Sequence, residues 1–438
     1  MKYVLLLVAF LPAWCFAQKL SFYQDIQPLV HAKCATCHRP GGGAPFSLIT
    51  YDDVSKRSSF IKKVITSRYM PPWRADDHYV AFSNSRKLGD AELATLTAWI
   101  DAGVPKGKEN LKAEHALLKK IEVGTAYGRT PDLTLKTKYA YQVKGDRQER
   151  FMVFKIPFEL AEPANIEAVE FTSTNKRVIH HVNFAIHPVE NPAIDLYKTV
   201  DSINLTTNRF AYEQWLPYKK EMIYYGGWIP GASFEAYPTD MGWTIPKRGV
   251  MLLTIHYSPS GKDAESISGV NFFFKKTPIT RKVKVISLGS GGIGERDISP
   301  PLMLFPNAVQ THQLRIANAR ENITVLYVWP HMHYLGKSFT AYALHDADTI
   351  PLVKIPSWDF RWQEMYRYRK PVVLKQGDIV NIDCTYDNTA DNPLNPNNPP
   401  KFVESSADMR SDQEMMTMLL VYVTYQPGDE SLVYEGQP

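Results

Sequence analysis

Between Pro131 and residue 430 the chain repeats one pattern, short β-branched and aromatic runs cut by Pro, Gly, Asn and Asp. Phe151 to Ile156, Val169 to Thr172, Val178 to Ile186, Val250 to Tyr257, Val270 to Phe274, Ile323 to Trp329, Ile379 to Tyr386 and Met418 to Tyr425 read as strands. Branched and aromatic side chains suit a pleated, half-buried surface, and the breakers mark turns. Strands at this density argue for all-β sandwiches. A stretch of about 300 residues is long for one such core. The Gly289-Ser290-Gly291-Gly292 punctuation therefore predicts two β units, 131–288 and 289–430. The Asn/Pro stretch from Asn388 to Pro400 reads as a loop without period.

The first part of the chain has a different character. Residues 1–17 carry Lys2, the apolar run Val4 to Phe10 and small residues ending at Ala17, the pattern of a cleaved secretory signal. That run is too short to span a bilayer and no later segment is apolar throughout, so no membrane span is expected. A periplasmic or secreted location is the expectation. Residues 18–105 read as compact and helical, from an amphipathic start (Phe22, Ile26, Leu29, Val30) to a closing helix with Leu93, Leu96, Trp99 and Ile100 at helical spacing. Asp90 is its expected N-cap, and Gly103 with Pro105 stops it. Residues 106–130, Lys-rich and polar, read as a linker or an exposed helix.

Within that helical part stands Cys34-Ala35-Thr36-Cys37-His38. C-x-x-C-H is the haem c attachment pattern, two thiols for thioethers and an adjacent imidazole for iron. His38 is then one axial ligand. Met70, in Tyr69-Met70-Pro71-Pro72-Trp73, is the leading candidate for the other, with core filling as its alternative role and His31 and His78 as substitutes. Of the four cysteines, Cys15 leaves with the signal and two go to haem, so Cys384 stands alone as a buried apolar residue in a disulfide-poor protein.

A second set of soft and borderline metal donors lies in the β region: His180-His181, His256, His331-Met332-His333 and Met415. In a strand, positions two apart share a face, so His331 and His333 can grip one ion while Met332 points away. His180 and His181 face opposite sides of a regular strand. Both can reach one metal only at a bulge, twist or strand end, so local irregularity is predicted there. His256 ends an apolar strand before Ser258-Pro259-Ser260-Gly261. Three imidazoles suit copper or zinc, whereas two imidazoles and a thioether suit Cu(I) and are poor for zinc. Met415 thus decides the metal, unless the Met415, Met416, Met418 cluster only fills a core.

Val178-Ile179-His180-His181, Leu253-Thr254-Ile255-His256-Tyr257, His331-Met332-His333-Tyr334-Leu335-Gly336-Lys337 and Asp412-Gln413-Glu414-Met415, in this order, resemble the copper type II, ascorbate-dependent monooxygenases. This is the family of the peptidylglycine α-hydroxylating and dopamine β-monooxygenases. Residues 20 to 105 in turn resemble small haem c domains of bacterial exported proteins. The resemblance implies a small all-α cytochrome c-like domain followed by two jelly-roll-like all-β sandwich domains. It implies an electron-transfer copper on His180, His181 and His256, and an oxygen-binding copper on His331, His333 and Met415 across a solvent-filled cleft. The implied activity is hydroxylation of a C–H bond in a small organic substrate with dioxygen and two electrons; the fusion itself, not the resemblance, motivates the expectation that haem replaces free ascorbate as the immediate donor, fed by ascorbate or a redox protein.

Three departures qualify that picture. Only Cys384 is left for disulfides; Trp329, Thr417 and Leu419 stand where the amidating enzyme has peptide-binding groups; and the haem segment is an addition. A peptide substrate is accordingly disfavoured. Trp329, Trp358, Trp362 and Tyr386 near the motifs suit either an apolar or aromatic substrate or a sandwich core. The charge balance, 50 Lys plus Arg against 45 Asp plus Glu without a basic block, says little about partners; nothing in it points to nucleic acid, and no nucleic-acid partner is expected. His31, His78, His115, His187, His312 and His345 are expected to be structural or surface groups, with His312 the one to watch. The rival functions are a non-catalytic copper and haem electron carrier and a three-histidine zinc hydrolase.

Overall fold

The computed structural model describes residues 19–122, 125–230, 232, 234–238, 240–317, 321–405 and 413–434. The expected leader at residues 1–17 and Asp412 lie outside them. Strands dominate, and the longest described helix, Asp90–Asp101, has 12 residues. Among the described residues no helix is long and apolar enough to cross a membrane.

Two packed pairs of sheets carry the chain after residue 131. In the first, a sheet ordered 133–136, 268–274, 164–173, 241–245, 281–282 lies against one ordered 202–204, 150–159, 248–257, 179–188, 224–228. Their shared core takes alternate residues of each strand, among them Val169, Phe171, Val270 and Phe272 from one sheet and Val182, Phe184, Leu253 and Ile255 from the other. In the second pair, a sheet ordered 284–289, 417–424, 323–331, 366–374 faces one ordered 308–317, 379–388, 336–345, 348–355. Cys384 is fully buried there, between Phe339 and His312 in register.

The neighbouring strands Ile323–His331 and Thr417–Thr424 are buried on both faces. Val325, Val328, Met418 and Leu420 enter the second core. Leu326, Tyr327, Val421 and Val423 enter the first. A strand pair apolar on both sides has no solvent face, so it joins the two sandwiches as one packed body. Arg281 adds a buried bidentate ion pair to Asp429, at 2.8 and 2.6 Å.

The N-terminal residues correct the expected fold class. Short helices, Gln27–Lys33, Tyr51–Ser55, Ser58–Thr66 and Asp90–Asp101, do share a small core of Phe22, Ile26, Val30, Leu48, Leu96 and Trp99. They do not form the small all-α cytochrome c-like domain that the resemblance implied. The stretch from Trp73 to Arg86, a run of turns and bends with one bridge from Phe82 to Tyr368, packs into the second sandwich. Ala75 and Phe82 are part of that core, and Phe82 stacks on Tyr368 at 5.5 Å. Asp76 N–H donates to the Lys354 carbonyl, Ser83 N–H to Arg367, and Arg369 N–H to Ala81. Arg74 pairs with Asp359 and Arg86 with Glu364. Aromatic burial against distant strands, which local periodicity does not encode, overrides the separation of the helical part. Gly89, not Asp90, precedes the closing helix, with Glu92 accepting its N–H at 2.7 Å. Gly103 adopts φ +82° at the other end.

Gly227 marks how closely the sandwiches meet. A Cβ placed there would come within 2.1 Å of the Trp329 ring and 2.6 Å of the Val182 carbonyl oxygen. Trp329 is buried at this contact and also lines a cavity of about 390 Å³. Gly227→Ala is therefore expected to cost about 1–3 kcal/mol through overpacking. Urea unfolding followed by tryptophan fluorescence checks it, and a midpoint unchanged from the parent would refute the contact.

Candidate metal centre

The backbone irregularity expected at His180-His181 is a β-bulge. Along the strand pair, His256 stands opposite His181, but Tyr257 stands opposite Ile179. His180 is the extra residue, and the kink turns two consecutive imidazoles toward one point. His180, His181 and His256 offer ring nitrogens that all lie within 4.8 Å of one another. Nδ1 of His180 is 3.0 Å from Nδ1 of His181, and Phe151 stacks on the His256 ring at 4.0 Å. His180 Nε2 and both ring nitrogens of His256 are buried without a hydrogen-bond partner. Glu149 Oε2 is 3.3 Å from His256 Nε2, but without hydrogen-bond geometry. Orphaned buried nitrogens are costly, and a cation accepting their lone pairs removes that cost. The donor set therefore fits a metal.

His331 and His333 form the second group, their rings 5.0 Å apart and nearly perpendicular. His331 ends strand Ile323–His331, and each ring is fixed through Nδ1: that of His331 on the Gln363 side-chain oxygen, that of His333 on the Gln413 carbonyl at 2.9 Å. An oxygen partner on Nδ1 assigns the proton there and leaves the Nε2 lone pair for a metal. Met332 is fully buried in the second core, away from both histidines. The antiparallel ladder ends with His331 opposite Thr417, so His333 and Met415 each lie two residues beyond it on adjoining segments. Glu414 locks that arrangement. Its buried carboxylate accepts the N–H of His333 at 2.9 Å, of Leu335 at 2.7 Å and of Met415 at 3.2 Å. The Met415 carbonyl accepts the Tyr386 hydroxyl at 2.8 Å, and the His333 carbonyl accepts the Trp358 indole N–H at 3.1 Å. Trp358 and Tyr386 thus hold backbone.

The two groups adjoin. The His181 and His331 rings are 6.3 Å apart, and Phe360 lies 4.8 Å from His180 and 5.3 Å from His333. Among the described residues no open cleft separates these rings, contrary to what the resemblance implies, because the turn Phe360–Trp362 inserts its first side chain between the strand ends. Tyr334 packs on Phe360 at 4.5 Å and donates to Glu149 Oε1 at 3.1 Å, so Glu149 bridges the groups. Sequence reasoning missed Glu149, Phe360, Gln363 and Glu414; the only local signal was that Glu414 sits inside a recognised motif.

A third site surrounds Cys34, Cys37 and His38. They line a largely apolar cavity of about 240 Å³ together with Phe46, Ile61, Met70, Pro71, Pro72, Pro230 and Trp362. The thiols are free, and burial pushes that of Cys34 up to about 12, so neither acts as the low-pKa nucleophile of a redox dithiol. His38 Nδ1 is 3.0 Å from the Phe46 carbonyl oxygen, which leaves Nε2 for iron. Paired thiols, an oriented imidazole and the thioether of Met70 on one apolar wall fit a covalently attached haem. His31 is held by the Ile49 carbonyl and His78 is exposed; neither lines the cavity. His115 is exposed on a helix. His187 is held by the Glu221 carbonyl, His312 by the Pro300 carbonyl and His345 by Asp378, all apart from the clusters.

A family model, the C-terminal domain of the copper type II ascorbate-dependent monooxygenases, matches residues 300–395. The match includes His331 and His333 and stops short of Met415. No curated protein matches the chain. Solved structures with some likeness include an allantoicase, 11% identical, covering 59% of this chain and 84% of its own, TM-score 0.17. PNGF-II is 8% identical, with 72% and 68% covered and a TM-score of 0.27. The major capsid protein P2 of bacteriophage PM2 is 7% identical, with 67% and 98% covered and a TM-score of 0.24. All three superpose poorly on this chain.

Burial, followed by neighbouring imidazoles, lowers His180 and His333 to about 3; burial lowers His331 to about 4. Unfolded imidazoles titrate near 6.5, so between roughly pH 6.5 and 4 the unfolded chain binds more protons and stability is lost as pH falls. The urea midpoint of metal-free protein is expected to drop from pH 7 to 5.5, on the order of 1 kcal/mol per histidine. Asparagine in place of His331 and His333 should flatten the profile; a pH-independent parent would contradict the burial.

Proposed function

We propose that this chain is an exported copper-dependent monooxygenase, periplasmic or secreted, that hydroxylates a C–H bond of a small organic substrate with dioxygen. Electrons come from ascorbate or a redox protein and enter through a haem c joined to Cys34 and Cys37. The observation that carries this reading is the meeting of two donor groups at the junction of the sandwiches, with orphaned imidazole nitrogens in one and the Met415 strand clamped to the other. The family match over residues 300–395 supports it.

Copper held at these residues supplies one-electron chemistry with dioxygen. The chain's own side chains do the rest. His180, His181 and His256 present three imidazole donors. His331 and His333, with the Met415 thioether, make a softer set that favours Cu(I). Gln363 and the Gln413 carbonyl fix the two rings, Phe360 excludes water between the groups, and Glu414 keeps His333 and Met415 together. Were a haem joined to Cys34 and Cys37, His38 and Met70 would be the residues to hold its iron and the apolar lining would shield it. The second reading, a carrier that passes electrons between copper and haem without an organic substrate, is favoured by the close approach of the His181 and His331 rings.

Metal analysis of protein matured with haem, then oxygen uptake with ascorbate and a panel of small organic substrates, tests the reading. Two coppers and one haem per chain are expected. Met415→Ala should keep the three-histidine copper and lower turnover at least tenfold, a barrier increase of about 1.4 kcal/mol. Zinc at the three-histidine group, beside Glu149, would overturn the proposal, and copper loading with no oxygen uptake on any substrate would favour the carrier.

A further inference from the structure

The cavity of about 390 Å³ that Trp329 lines opens where the helix Gln27–Lys33, the stretch from Ser83 to Arg86 and both sandwiches meet. Small-ligand pockets have this size, roughly 300–1,000 Å³. None of the histidines at the candidate metal centre is part of its wall. Much of that wall is aromatic, from Phe171, Phe184, Trp228, Phe234 and Trp329. Phe171 and Trp228 lie against each other at 5.0 Å, and the Trp329 indole nitrogen is buried without an acceptor. Ring faces and edges of this kind favour a planar, apolar body.

Charged side chains line the same cavity, and all but one are engaged. Arg86 pairs with Glu364. Glu235 accepts the hydroxyls of Tyr224 at 2.7 Å and Tyr237 at 2.6 Å, and burial raises its pKa, which lessens its negative charge. Lys33 donates to the Lys87 carbonyl at 3.2 Å and lies 3.9 Å from Glu92. Arg367 differs. Its backbone N–H donates to Asn84 at 3.0 Å and its guanidinium lies over the rings of Tyr327 and Tyr434. Among the described residues that guanidinium has neither a hydrogen bond nor an ion pair.

We propose that this cavity binds a small aromatic carboxylic acid, its ring on the aromatic wall and its carboxylate on Arg367. A guanidinium is a planar fork that matches a carboxylate with two parallel hydrogen bonds. One unpaired cation balances one negative charge, so a monoanion suits the site better than a doubly charged phosphate ester. An amine would find both carboxylates taken, one by Arg86 and the other by two tyrosine hydroxyls. Binding makes and breaks no covalent bond. It requires neither copper nor haem, so the inference stands apart from the functional reading.

Isothermal titration calorimetry of the full chain with indoleacetate tests it, beside tryptophol as the uncharged analogue and tryptamine as the cationic one. The acid should bind at one site per chain and about tenfold or more tighter than either analogue. Arg367→Gln should cost the acid about tenfold and leave tryptophol unchanged, whereas Arg367→Lys, which keeps the charge but not the fork, should cost less. Ala32→Trp, at an exposed helix position on the rim, should weaken acid and alcohol alike while Arg367 stays in place. In the parent protein, equal or tighter binding of tryptophol or tryptamine, or no binding of indoleacetate at millimolar concentration, overturns the proposal without any variant. An affinity for the acid indifferent to Arg367→Gln overturns it as well.

Discussion

The carboxylate of Glu414 is the fixed point of the centre. It sits fully buried between two chain segments and spends its oxygens on three backbone N–H groups, those of His333, Leu335 and Met415. Burying such a group is tolerated only when it is hydrogen-bonded this completely. These three bonds force the turn after His331 to lie against residues 413–415, which brings the imidazoles and the thioether to the same end of the sheet. Glutamine could not reproduce the contact, because an amide nitrogen would face an N–H where the carboxylate has a second acceptor.

Around that point the two sandwiches behave as one body. The strands carrying His331 and Thr417 bury their two faces in different cores, so the second histidine pair cannot move relative to the first without opening both. Packed interiors deform poorly in small steps. The close approach of the histidine groups is thus a property of the whole junction, with Phe360 and the Glu149 to Tyr334 hydrogen bond filling what would otherwise be water. Any substrate reaching both groups at once requires Phe360 to leave its place.

Much of this was legible locally. Val250 to Tyr257 and Ile323 to Trp329 fall within observed strands, since apolar runs rich in β-branched and aromatic residues need only neighbouring residues to be read. The irregularity at His180-His181 followed from the alternation of strand faces, as did the turn of Met332 away from the two histidines beside it. The helix through Leu93, Leu96 and Trp99 was equally visible. Contacts between segments far apart in the chain escaped. Nothing near Phe360 or Gln363 announces a histidine partner, and nothing between Trp73 and Arg86 says that its aromatic side chains belong to a β core. The expectation of a free-standing all-α unit failed for that reason: a helical period identifies helices, but not which surface covers them.

The strap from Trp73 to Arg86 also carries a consequence for biogenesis. Arg74 and Asp359 are 285 positions apart, so the strap is synthesised long before the strands it lies on. At ~5–20 residues per second the interval is roughly 15 to 60 s. Throughout it, Trp73 and Phe82 lack Tyr366 and Tyr368, the rings they later pack against. The strap is therefore among the last parts of the chain to be finished, and the second sandwich closes only when residues 73–86 and the strands they lie on are both present.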